Sequence, residues 1–272
     1  MTAKFTARAP AKINLTLHVT GQRDDGYHLL DSLVVFAEDC ADALSFTPDE
    51  RLSIAVTGPF ADGIPTDDRN LIWKAAQAAG WTGTIHLEKN LPHGGGLGGG
   101  SSDAGAALRA FGHPDQTAAL SLGADVPVCL LGRAARMTGI GERVAPAALP
   151  DGLWAVLVNP GIPLPTPHVF ARVTRKTNPP MTPAPATTDL AGWLDWLRSQ
   201  RNDLEAAAIQ LNPSIQDVLS AIKATDHIEL ARMSGSGSTC FGLYTDKTHA
   251  EAACATLRRG RPDWWCELTA IR

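Results

Sequence analysis

The sequence predicts an α+β, split-βαβ architecture rather than a doubly wound sheet, and three observations carry that expectation. Strand and helix patterns alternate irregularly along the 272 residues. Six glycines in the seven positions from Gly94 to Gly100 feed an alanine-rich helical run. The length suits two domains or one large one, and Ala145 to Gly152 reads as a joint, giving halves 1–150 and 151–272.

Composition bounds the function classes. With 44% apolar and 19% charged residues the chain has ample core for an ordinary globular protein. A net charge of −4 argues against a general nucleic-acid surface. No apolar run approaches the eighteen or so residues of a membrane span. The opening Met1-Thr2-Ala3-Lys4-Phe5 leads straight into a strand without an apolar signal region, so a cytoplasmic location is expected. Cys40, Cys129, Cys240, Cys254 and Cys266 form no close pair in sequence and read as reduced, mostly buried thiols. The eight histidines have no zinc-ligand spacing.

In chain order, Ile13 to Val19 alternates apolar and polar like a half-buried strand, which places Lys12 and Asn14 on one face. Thr20 to His28 is a polar turn. Leu29–Ala37, Ala43–Thr47 and Leu52–Thr57 read as separate strands, the last two joined at Pro48-Asp49-Glu50. Asp67-Asp68-Arg69-Asn70 caps a helix over Leu71–Ala79, and Thr84–Glu88 is a short strand entering the glycine run. Behind the run, Ser101 or Ser102 is the expected N-cap, because so many glycines disfavour helix. Gln116–Leu122 is helical and stops at Gly123. Asp125, ahead of an apolar run, reads as a helix or turn cap. Arg133–Thr138 and Glu142–Val144 follow as strands. The second half opens on the strand Trp154–Val158, then a short helix holding Phe170 and a mobile proline-rich loop over Lys176–Thr188. Helices are predicted over Leu190–Ser199, Leu204–Leu211, Ile215–Ala224 and Thr248–Arg258. Strands are predicted over Glu229–Met233, Thr239–Tyr244 and Trp265–Ile271.

A glycine loop running into a helix start gathers unpaired N–H groups at the positive end of the helix dipole, which makes an anion site; a flexible hinge is the plainer alternative. It is not a Walker loop, since Gly100 stands where the lysine before the hydroxyl residue is needed. The G-x-G-x-x-G spacing of Gly94, Gly96 and Gly99 is met, yet Asp115 lies in a turn and not at the end of a second buried strand. From the residues alone Lys12 reads as a solvated lysine ahead of a site residue.

Three stretches combine further: Pro10-Ala11-Lys12-Ile13-Asn14-Leu15, Pro92 through Ser102, and Met233-Ser234-Gly235-Ser236-Gly237. In order and spacing they resemble the three signature motifs of the GHMP kinases, over nearly the whole chain. The segments Gly21 to His28, Leu122 to Pro127 and Pro165 to Phe170 are similar to those of the branch acting on a cytidyl-linked methylerythritol in non-mevalonate isoprenoid synthesis. The resemblance implies a two-domain GHMP kinase fold, with a ribosomal-S5-domain-2-like N-terminal half and a ferredoxin-like C-terminal half. It implies ATP and Mg²⁺, a small-molecule acceptor, and neither nucleic acid nor membrane as partner. A monomer is compatible with it, although oligomeric state is not fixed.

The resemblance also implies roles. Asp125 would be the general base and Lys12 would hold the hydroxyl and aspartate in register, stabilising a developing alkoxide. Asn70, Leu71 and Lys89 would lie near adenine. Pro92, Gly94, Gly95, Gly96, Leu97, Gly98, Gly99, Gly100, Ser101 and Ser102 would form the phosphate loop. Asn14 and Thr166 would meet the acceptor, Tyr27 and Phe170 would sandwich cytosine, and His28 would bond to its edge. No protein ligand for the metal is implied. Asp103 balances the helix dipole or touches the metal through water. Another small-molecule kinase and a non-catalytic nucleotide-binding module are the rival readings.

Overall fold

The computed structural model describes residues 4–186 and 189–272. Met1-Thr2-Ala3 of the opening stretch and positions 187 and 188 of the proline-rich loop lie outside the described residues. β1 (Phe5–Asn14), β2 (His18–Gln22), β3 (His28–Pro48), β4 (Ser53–Thr57), β5 (Gly83–Glu88), β6 (Ala135–Gly139) and β7 (Arg143–Pro146) form one seven-stranded sheet. Its path is β4-β5-β3-β6-β7, with β1 and β2 also paired to β3. β8 (Trp154–Asn159), β9 (Leu230–Met233), β10 (Cys240–Tyr244) and β11 (Trp265–Ala270) form a second, antiparallel sheet in the order β11-β8-β10-β9.

Two expected strands, 29–37 and 43–47, are one 21-residue strand, β3. The exposed Glu38 and Asp39 interrupt the apolar alternation where the register with β1 shifts between Pro10 and Lys12. That irregularity is a bulge, which bends a ladder without ending it. β3 and β4 do not pair across the Pro48 turn; β5 lies between them, antiparallel to β3 and parallel to β4. The half-buried strand expected over 13–19 is buried on both faces, Asn14, Thr16 and His18 included, and the ladder breaks before β2.

Around the first sheet lie α1 (Leu71–Ala78), α2 (Gly99–Ala110), α3 (Gln116–Leu122) and α4 (Val126–Leu131). With the second sheet go α5 (Thr166–Arg172), α6 (Leu190–Ser199), α7 (Glu205–Leu211), α8 (Ser214–Lys223) and α9 (Lys247–Gly260). α2 starts inside the glycine run, with Gly98 as N-cap at φ 61°, and not at Ser101 or Ser102. Packing overrides the poor helix propensity of glycine here. The face from Ser102 to Leu108 is buried, and a Cβ at Gly105 would lie 2.7 Å from the carbonyl carbon of Cys129 at the α4 crossing.

One core joins the sheets: Ile13, Leu15 and Val35 from the first pack with Leu157, Phe241 and Leu243 from the second. The proline-rich segment is pinned through its described part, against the mobile expectation. Asn178 N–H donates to the Val19 carbonyl at 3.1 Å, and buried Met181 donates its N–H to Asp31 at 2.9 Å. All five thiols are buried and free, but the absence of a close pair does not carry into space: Cys254 and Cys266 have their sulfurs 3.5 Å apart. Among the described residues no helix is long and apolar enough to cross a membrane.

Candidate active site

A cleft of about 390 Å³ opens where the two sheets meet. Its floor begins at β1. Residues two apart on a strand point the same way, and Lys12 Nζ indeed donates to Asn14 Oδ1 at 2.7 Å. The Asn14 amide donates in turn to Ser32 Oγ at 2.8 Å, which fixes its orientation. The Lys12 ammonium also reaches Asp125 Oδ2 at 3.0 Å. Lys12 is therefore not a solvated lysine; it is buried and doubly engaged. Asp125 does occupy the N-cap position of α4, but its side chain makes no cap bond. The carboxylate stays about one-third exposed to the cleft and faces the lysine.

The glycine run wraps the opposite wall. Gly94 and Gly96 adopt left-handed φ of 63° and 76°, and a Cβ at Gly96 would collide with the Ser234 carbonyl oxygen. A Cβ at Gly95 would lie 2.7 Å from Asn159 Nδ2. The loop is stitched to its neighbours through backbone groups. Lys12 N–H donates to Leu97 O at 2.9 Å, Thr239 N–H to Gly95 O at 3.0 Å, and Ser234 Oγ to Gly96 O at 2.9 Å. The positive end of α2 consequently opens into the cleft beside Gly98, Gly99, Gly100 and Ser101. Free N–H groups of a helix's first turn and its dipole favour phosphate there.

Most expected site residues line this cleft: Lys12, Asn14, Leu71, Gly94, Gly95, Gly96, Gly98, Gly99, Gly100, Ser101, Asp125, Thr166 and Phe170. Others do not. Asn70 spends its side chain capping α1, accepting from Ile72 N–H at 3.0 Å and donating to Pro65 O at 2.8 Å. Leu97 is in the core, Pro92 is buried, and Ser102 Oγ donates to Pro10 O at 2.7 Å. Tyr27 is 58% exposed and off the lining, and it does not pair with Phe170. The His28 ring is stacked on Phe170 at 4.9 Å between centroids. Its Nε2 is buried with no protein partner among the described residues. Burial, then the nearby Lys176 ammonium, depresses the His28 pKa, so the ring is neutral at neutral pH.

The Lys89 side chain does not reach the cleft. It is buried under Gly99, with its ammonium held by Asp42 and, at 3.0 Å, by Asp103. Burial would lower its pKa, but the two carboxylates outweigh that and hold it raised. Burial pushes Asp103 up to about 8 against the pull of Lys89, and the Asp42 carboxylate pushes the same way. Asp103 is thus neither a dipole counter-charge nor a cleft group. Asp42 also accepts Asn90 and Leu91 N–H at 2.6 and 2.9 Å, so the triad ties β3, the end of β5 and α2 beneath the phosphate loop. The role of Asp42 escapes sequence reading, since an aspartate within a strand gives no local signal. Ser236 was within reach of it: the Ser234–Gly237 motif marks it, and its hydroxyl lies 2.8 Å from that of Thr166 at the cleft.

A lysine–carboxylate pair facing a helix-borne anion cradle belongs to phosphoryl transfer onto an alcohol, and comparison with known proteins agrees. The family model described as the GHMP kinases N terminal domain matches residues 70–133, and that described as GHMP kinases C terminal matches 184–262. The chain belongs to the GHMP kinase family. It is 56% identical to the 4-diphosphocytidyl-2-C-methyl-D-erythritol kinase of Dinoroseobacter shibae, covering 97% of this chain and 94% of that one. It is 52% identical to the enzyme of the same name from Cereibacter sphaeroides, over 96% and 97%. A solved 4-(cytidine 5'-diphospho)-2C-methyl-D-erythritol kinase superposes with a TM-score of 0.78 at 36% identity, over 98% and 99%. The expected two-domain GHMP kinase fold is therefore present. A homoserine kinase from Cytophaga hutchinsonii, at 16% identity and a TM-score of 0.68, shares the fold.

Proposed function

We propose that the chain transfers the terminal phosphoryl group of ATP to the 2-hydroxyl of 4-diphosphocytidyl-2-C-methyl-D-erythritol, in non-mevalonate isoprenoid precursor synthesis. The Lys12–Asp125 pair, facing the glycine cradle across one cleft, carries the reading. Transfer needs a hydroxyl in line, charge stabilisation at the phosphoryl oxygens and a destination for the hydroxyl proton. Asp125 takes the proton. Lys12, held by Asn14, keeps the carboxylate placed and stabilises the oxygen as it turns anionic. Backbone N–H groups of Gly98 to Ser101 receive the phosphates.

At the other end of the cleft, Phe170 offers an aromatic face for cytosine and Thr166 a hydroxyl. The unpartnered His28 Nε2 suits the edge of the base. Tyr27 closes on the second face of the base from its exposed turn. Asn70, Leu71 and the Lys89 backbone bound the adenine side. The cradle suits the phosphates of ATP, because the first turn of α2 lines the cleft from Gly98 to Ser101 with no side-chain cap on its N–H groups. Among the described residues no three of His, Cys, Asp and Glu gather as a metal site. Mg²⁺ would shield the phosphate charge there, and Asp125 and Ser101 are cleft side chains whose oxygens would hold it.

The chain divides into halves 1–150 and 151–272, a reading supported by the change of sheet between β7 and β8. It works in the cytoplasm, without nucleic acid. The test is ADP release with a panel of acceptors: the cytidyl conjugate, free methylerythritol phosphates, mevalonate and homoserine. Turnover confined to the conjugate is expected. Preference for mevalonate or homoserine would assign another GHMP activity, and ATP binding without turnover would leave a nucleotide-binding module.

A further inference from the structure

On the far side of the second sheet, Cys254 of α9 faces Cys266 of β11 with 3.5 Å between sulfurs. We propose that this pair is an oxidisable dithiol, converted by a hydroperoxide into a disulfide that staples α9 to β11. A disulfide bond is about 2.0 Å long, so the sulfurs must close by roughly 1.5 Å. Both lie on elements already packed together in one core cluster.

Access and chemistry favour Cys254 as the attacking sulfur. It lines a surface cavity of about 360 Å³ together with Glu251, Arg258 and Leu268. A water takes about 30 Å³ of liquid volume, so the cavity has room for a small peroxide beside Cys254, which is 4% exposed. The hydrogen bond between the two thiols, in which either sulfur can donate, holds the Cys254 pKa down; burial opposes this and the Arg258 guanidinium assists it. Arg258 is fixed there, donating to the Cys266 carbonyl at 2.8 Å and pairing with Glu267 at 2.8 Å. The same hydrogen bond and burial push the Cys266 thiol up. The other thiols are held neutral: burial raises Cys40 to about 12 and raises Cys129 and Cys240.

The chemistry balances in two steps. The Cys254 thiol gives up its proton and the thiolate attacks the terminal peroxide oxygen, breaking the O–O bond and leaving a sulfenic acid; the hydroxide or alkoxide that leaves takes up that proton as water or alcohol. Cys266 sulfur then attacks the sulfenic sulfur. The S–S bond forms, hydroxide leaves, and the Cys266 proton goes with it as water. The two thiols are oxidised and the peroxide is reduced.

The test treats the folded full chain with hydrogen peroxide, quenches with an alkylating agent, and reads intact mass and a peptide map. The expected result is loss of two hydrogen atoms, one cross-linked peptide joining Cys254 to Cys266, and reversal by dithiothreitol with recovery of the original melting temperature. Cys266→Ser should leave Cys254 as a sulfenic acid that dimedone traps; Cys254→Ser, or Cys254→Ala if the serine variant folds poorly, should abolish both products. An unchanged mass, a bridge through Cys40, or over-oxidised Cys254 with no cross-link in the native chain would overturn the proposal. So would equal peroxide uptake in a folded Cys254 variant.

Discussion

Lys12 Nζ and Asp125 Oδ2 meet at 3.0 Å across 113 residues of sequence. One comes from a sheet strand and the other from the start of a short helix, so their distance is set by how α4 packs on the sheet. Asn14 fixes the lysine from below through its 2.7 Å bond. The lysine is buried while the carboxylate stays open to the cleft. This asymmetry suits a cation that positions and a base that must reach substrate.

The cradle should fail by bulk alone. A Cβ at Gly100 meets nothing closer than Leu71 Cδ1 at 3.9 Å, so Gly100→Val folds and fills nucleotide space. Its ATP affinity should drop at least ten-fold, about 1.4 kcal/mol, by titration calorimetry. Gly98→Val adds strain to the same loss, because Gly98 is left-handed and its Cβ would lie 3.0 Å from Lys12 Cε. Roughly 1–2 kcal/mol of stability should go with it. Native ATP affinity in the Gly100 variant would remove the loop from phosphate binding.

Phe170→Ala should weaken acceptor binding by about 1–3 kcal/mol, taking the range for base–aromatic stacking, and leave the ATP Michaelis constant unchanged. Tyr27→Ala should move stability by no more than about 0.5 kcal/mol, as expected for an exposed side chain. Its acceptor Michaelis constant should nevertheless rise if Tyr27 closes on the base. An unchanged constant would return Tyr27 to the surface.

Lys89→Met should act on the fold. It leaves Asp42 and Asp103 buried without their cation, and breaking such a pair from one side costs about 3–5 kcal/mol. Chemical denaturation should show that loss. A variant with native stability and a raised ATP Michaelis constant would contradict the triad and favour direct contact with adenine.

Acid should destabilise the protein partly through His18. Its Nδ1 lies 3.3 Å from Pro179 O and its Nε2 accepts Arg201 N–H at 3.3 Å, the pattern of a neutral ring. Burial first, then Arg201, lowers its pKa below 6.5. The folded state therefore binds fewer protons than the unfolded one, so stability holds above about pH 6.5 and declines as pH falls below it. His28 adds in the same direction. Melting temperature against pH should show the decline, and His18→Asn should flatten it while lowering the plateau.

The sequence displays whatever local chemistry determines. Asn70 caps its helix as its position foretells, and Trp193, Leu194 and Leu197 are buried at helical spacing. Lys12 and Asn14 share a face because a strand forces it. What stayed hidden depends on partners far along the chain. The ion triad of Asp42, Lys89 and Asp103 gives no sign in the sequence, since it forms only where β3, the end of β5 and α2 pack together. The start of α2 at Gly99 needed the α4 crossing to outweigh propensity. The stacking of His28 on Phe170 needed the start of β3 to lie against α5.

Single-turnover phosphoryl transfer by Asp125→Asn, with both substrates' dissociation constants measured alongside, tests the central claim most directly. Asparagine keeps the size and one acceptor but can take no proton. Positioned general bases contribute about 10²–10⁴-fold, or roughly 3–5 kcal/mol at 1.36 kcal/mol per decade. A loose transition state, in which the hydroxyl proton leaves late, sets a floor of about ten-fold. The account predicts a loss in that range with near-native binding of ATP and acceptor. Transfer at the native rate would contradict it and return Asp125 to the start of α4 as a structural residue.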